Sequence, residues 1–136
     1  MGWLAPTLYY VVAVGALGVT SKLALRSLVW QDLILWTGLG YILVAGVLLA
    51  LGQTAVRVSD GTGWAALSAA VAISSLIALY LALNVGKAGT VIPVTAAYPA
   101  VTLVLAAAFL SESLTLVRVG GALLVVTGVV ILTAFD

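Results

Sequence analysis

Residues 64–83 read WAALSAAVAISSLIALYLAL, twenty consecutive residues without a charge. At about 1.5 Å of rise per residue, a helix of this length matches a hydrocarbon layer of about 30 Å. Similar apolar runs fall at about Leu33–Leu51 and Trp3–Leu25 on the N-terminal side, and at about Val91–Leu110 and Arg118–Phe135 on the C-terminal side. The 136 residues are 65% hydrophobic and 7% charged, with a mean hydropathy of +1.34. Soluble domains carry about 25% charged residues, and one soluble core of this size cannot hide so much apolar surface. The chain therefore reads as an all-α integral membrane protein of five transmembrane helices, in a single transmembrane domain over 1–136. The first run is expected to be the first transmembrane helix. It lacks the basic stretch that opens a secretory leader, and it leads straight into further spans.

The same composition excludes several kinds of chemistry. There is no Cys and no His, which removes disulfides, thiol catalysis, Cys/His metal sites and histidine switching. Asp plus Glu number four and stand far apart in sequence, so no oxygen-ligand metal cage is expected, nor any cofactor. A net charge of +1 provides no basic face for nucleic acid. No nucleophile–base pair is present, and the Gly-Thr-Gly run at 61–63 is too short for a phosphate loop. An enzyme is not expected. No acidic residue lies in the middle of any span. Intramembrane carboxylates are the usual handle for proton or cation coupling, so the work falls to aromatic, hydroxyl and amide groups, to backbone at glycine and proline, and to a few basic residues.

Short polar connections join the spans, the longest being 52–63, GQTAVRVSDGTG. Trp3, Trp30, Trp36 and Trp64 lie near predicted span ends, where interfacial belts favour tryptophan. Five spans place the termini on opposite sides. Lys22, Arg26 and Lys87 then face Arg57 and Arg118, three basic residues against two. The positive-inside rule gives only a slight preference for an inside C-terminus. So even a count fits insertion both ways up, one orientation fixed by a partner, or one fixed by the small bias alone.

Individual residues sharpen this picture. Pro99, near the middle of the fourth span, removes an amide donor and clashes with the carbonyl four residues back, so a kink is expected there. It serves either packing or as a hinge. Pro93 is expected in the first turn of that span, where proline costs little. Thr95, Tyr98 and Thr102 fall at i, i+3 and i+7, on one face that is the most polar at mid-depth. They are candidates for lining a substrate path. Trp36 in span two and Ser75 in span three are further candidates, each with a packing or lipid-facing alternative. Lys22 shares a face of span one with Gly15, Gly18 and Arg26. It either snorkels to the headgroups or faces a central cavity and attracts an anionic group. Glu112 is expected to cap the last span at its N-terminus, with Arg118 as an ion partner. Gly121 and Gly128, two turns apart, are candidates for helix–helix contact within the chain or between copies.

Residues 78–132, ALYLALNVGKAGTVIPVTAAYPAVTLVLAAAFLSESLTLVRVGGALLVVTGVVIL, carry a family likeness. A span ends in a Gly-containing turn (Asn84–Gly89) and is followed by a span with the internal pair Tyr98-Pro99. Phe109-Leu110-Ser111-Glu112 then closes that span, and Gly120-Gly121 opens a last span carrying Gly128. This resembles one half of an EamA-type protein of the drug/metabolite transporter superfamily, and the opening glycines followed by Lys22 are similar too. The resemblance implies one five-span half of a ten-helix inverted-repeat transporter. It also implies a dimer, either an antiparallel homodimer or a heterodimer with a similar short membrane protein, enclosing a central path in the bilayer. The expected activity is alternating-access movement of a small organic metabolite or amphipath across the plasma (inner) membrane. The alternatives are a subunit of a flippase for polyprenyl-linked sugars and a non-transporting scaffold subunit. The last span also resembles the dimer-forming helix of small multidrug resistance proteins. Their first-span glutamate has no counterpart here, so their proton-antiport mechanism is not implied.

Overall fold

The computed structural model describes residues 2–134. Phe135, the expected end of the last span, and the terminal Asp136 lie outside the described residues. Six helices follow one another: α1 (Leu4–Ala24), α2 (Trp30–Ala50), α3 (Thr62–Val85), α4 (Ala88–Thr95), α5 (Tyr98–Phe109) and α6 (Leu116–Ala134). There is no strand among the described residues. Five stretches are long and apolar enough to cross a membrane: α1, α2, α3, the α4–α5 pair taken together (Ala88–Phe109), and α6. Few of their residues are buried by the rest of the chain. Apolar side chains left uncovered on this scale are stable against lipid and not against water.

The helix ends show how the sequence sets these lengths. The Val29 amide donates to the Asp32 carboxylate at 3.1 Å as the chain enters α2, placing a negative group beside the positive end of the helix dipole. At the other end of α2, Gly52 takes φ +65°. The Gln53 amide returns to the Leu48 carbonyl and the Gly52 amide to Leu49, both at 3.0 Å. This is a Schellman stop, and the left-handed residue in it is nearly free of cost only as glycine. Ser111 is also left-handed after α5, with φ 55°, but here the Glu112 amide reaches the Ala106 carbonyl at 3.3 Å, and the Ser111 Cβ meets the steric penalty that glycine avoids. At α6 the Thr115 hydroxyl accepts the Arg118 amide at 3.3 Å, so Thr115, rather than Glu112, makes the capping bond. Glu112 instead meets the Arg118 guanidinium at 3.4 Å, with both side chains half exposed.

The fourth span is where the fold departs from a plain helix. α4 begins at Ala88, so Pro93 is an interior residue and not part of the first turn. The expected kink is present as a break in the α-helical bonding at Ala96–Ala97, two residues that keep right-handed backbone angles. Residue 99 has no amide hydrogen for the Thr95 carbonyl. The Ala100 amide, which an unbroken helix would aim at Ala96, goes to Ala97 instead at 3.1 Å. The Ala96 and Ala97 amides likewise shorten their reach, to Pro93 (3.0 Å) and Val94 (3.1 Å). The backbone tightens to i→i+3 bonding around the proline.

Two compact units result. In Ala16–Val85, α2 packs on α3, and the buried residues are Gly18, Ser21, Leu33, Tyr80 and Leu83. The other unit joins the residues up to Gly15 with those from Gly86 onward. There α6 packs on both α4 and α5.

Candidate functional site

Each unit holds a groove. The one within Ala16–Val85 has a volume of about 260 Å³. Its walls come from the C-terminal half of α1 (Leu17, Thr20, Ser21, Ala24), from α2 (Leu33, Trp36, Thr37) and from Tyr80 of α3. The Thr37 and Tyr80 hydroxyls share a hydrogen bond of 2.9 Å. Tyr80 is almost wholly buried, so its phenol needs this partner. Thr20 donates to the Ala16 carbonyl at 3.0 Å. Trp36 stands at the rim, 69% exposed. Behind the groove, the Lys22 ammonium donates to the Leu83 carbonyl at 2.7 Å.

The second groove, about 230 Å³, lies at the interruption of the fourth span. Tyr10, Val11, Val14 and Gly15 of α1 form one wall, and Ile92, Pro93, Thr95, Ala96 and Tyr98 form the other. The Thr95 hydroxyl donates to its own helix, at the Ile92 carbonyl, 2.7 Å away. A Cβ added at Gly15 would meet nothing within 4 Å, so that side of α1 stays open.

Of the residues singled out in the sequence, Trp36 reaches the first groove and Thr95 and Tyr98 the second. Lys22 lines neither, because it is drawn to the end of α3. Ser75 is exposed and donates to Ala72 on its own helix at 2.8 Å, outside both grooves. Thr102 is exposed and one turn beyond Tyr98 on α5, outside the lining of the groove. The break falls between Thr95 and Tyr98, which still line one groove, while Tyr98 and Thr102 keep the i, i+4 spacing of one helix. Gly121 and Gly128 make no close packing within the chain, since a side-chain carbon at either would meet nothing within 4 Å. Sequence reading misses Thr37, Tyr80 and Tyr10. Thr37 and Tyr80 are polar groups within long apolar runs, which is a usable signal. Tyr10 carries the same mark within the first apolar run.

Comparison with known proteins decides the family. The sequence matches the EamA-like transporter family over residues 2–134. The chain belongs to that family. The EamA-like chain is thus a multi-pass membrane protein of the drug/metabolite transporter type, a family of transporters rather than enzymes. It is 33% identical over 94 residues to an uncharacterized protein of Methanocaldococcus jannaschii, covering 69% of each chain. No solved structure matches it.

Proposed function

We propose that this EamA-like chain works as one half of an alternating-access transporter, pairing with an oppositely oriented second copy to move a small organic metabolite or amphipath. Localisation in the plasma membrane is part of the same proposal. The observation that carries it is the interruption at Ala96–Ala97, near the middle of a 22-residue span. Irregular backbone at membrane depth is stable only where it is covered by protein or lines a cavity. Broken helices with a groove near the midplane are the common plan of secondary-transporter sites. The uncovered Gly121 and Gly128 face of α6 supports pairing with a second chain, because small residues permit close helix approach.

Accessibility of single cysteines tests the path and requires no substrate, and the chain has no Cys of its own to interfere. In proteoliposomes, Thr95→Cys is expected to react with a membrane-impermeant maleimide. Leu124→Cys, near the middle of α6, is expected to stay protected. Equal protection of both positions would sink the reading.

A further inference from the structure

We infer that the groove at the break of the fourth span recognises a small organic ammonium ion. The inference rests on the transport reading above and names its substrate class. None of the residues lining the groove is charged. Most of the lining is aliphatic, and what it adds for a ligand is two tyrosine rings, the Thr95 hydroxyl and main-chain groups at the break. The Thr95 hydroxyl commits its hydrogen to Ile92, which leaves only lone pairs for a ligand. The carbonyls of Thr95 and Ala96 lose their helical donors, one because residue 99 is proline and the other because the Ala100 amide turns to Ala97. Tyr10 and Tyr98 are each more than half exposed and bring two rings whose faces attract cations.

An anion entering this groove finds no charged partner among the lining residues. An ammonium meets carbonyl and hydroxyl oxygens together with both rings. Carbonyl oxygens alone hold monovalent cations at membrane depth in potassium channels, so a carboxylate is not required for one positive charge. A volume of about 230 Å³ lies below the roughly 300–1,000 Å³ of sites for drug-sized ligands. That limits the ligand to a short-chain or single-ring amine.

The test uses the whole chain in lipid nanodiscs and three probes of similar shape: 2-phenylethylammonium, neutral 3-phenylpropan-1-ol and anionic 3-phenylpropanoate. Calorimetry is expected to show the cation bound about tenfold tighter than the alcohol, and the anion weakest. Tyr98→Ala and Tyr10→Ala each remove most of that preference, while Tyr98→Phe, which keeps the ring, retains it. Affinities within threefold for all three probes overturn the inference. So does a cation preference that survives both alanine variants, or a failure of every probe to bind. Selective binding without protein-dependent uptake of 2-phenylethylammonium into proteoliposomes overturns the transport reading and leaves the site standing. Uptake without selectivity does the reverse.

Discussion

The Lys22 ammonium, in the last turn of α1, donates to the Leu83 carbonyl, in the last turn of α3, across 2.7 Å. The carbonyls of a last helical turn have run out of amide donors, and a cation there also meets the negative end of the helix dipole. Leu83 is fully buried, so water does not take over when the lysine is removed. Lys22→Met is expected to lower stability by about 1–2 kcal/mol. Arg26→Met, at an exposed position, is expected to change it little. Thermal unfolding in detergent, followed by tryptophan fluorescence, checks both. Equal shifts would deny Lys22 its bracing role.

A second tie joins α2 to α3 through the Thr37 and Tyr80 hydroxyls. Tyr80→Phe removes one partner and leaves a half-buried threonine that can turn to its own backbone. Its expected cost is about 0.5–1 kcal/mol. Thr37→Val strands the phenol inside the unit, and its expected cost is about 1–3 kcal/mol. The double variant is expected to cost less than the two single changes added together. Additive losses would mean the bond contributes nothing of its own.

How far the sequence carries the fold depends on the type of signal. Runs such as 64–83 announce a span by length alone, and each of the five runs lies within three residues of a described helix end wherever that end is described. The break is legible as Pro99 but sits slightly before it. A proline acts backwards, on the carbonyl four residues earlier and on the conformation of the residue before it. Pro93 reads as a first-turn residue because Ala88-Gly89-Thr90 carries little hydropathy although it is helical. The partner of Lys22 is a main-chain oxygen, which no pattern of side chains encodes. Thr102 follows Tyr98 by one turn of the continuous α5, and its place outside the groove is set by packing that helix arithmetic does not encode. Trp36, Thr95 and Tyr98 stand out by type and depth, and neither depends on register.

Ser111 holds a left-handed conformation, φ 55°, for which glycine has no steric penalty. Ser111→Gly is expected to raise stability by about 1 kcal/mol. A lower melting temperature would show that the serine side chain does more than close α5.

Pro99→Ala returns an amide donor to the Thr95 carbonyl and removes the ring that forces the interruption. The variant is expected to melt higher than the parent chain. In the Thr95→Cys background it is expected to slow maleimide labelling several-fold, as the backbone closes into a continuous helix. Unchanged labelling would separate water access from the break.

Ser59, exposed in the turn before α3, reports orientation. In intact cells Ser59→Cys is expected to label partly from each side of the membrane, as an inverted homodimer requires. Labelling from one side alone removes that dimer and points to an oppositely oriented partner of a different sequence.

The residues of α1 up to Gly15 group with those from Gly86 onward. In synthesis order the residues up to Gly15 precede Ala16 to Val85, all of which must follow before their partners exist. At about 5–20 residues per second, this first segment waits on the order of several seconds in lipid with its groove-lining face unfilled. A nascent chain halted after α3 would therefore hold one groove complete and of the other only the wall that α1 supplies.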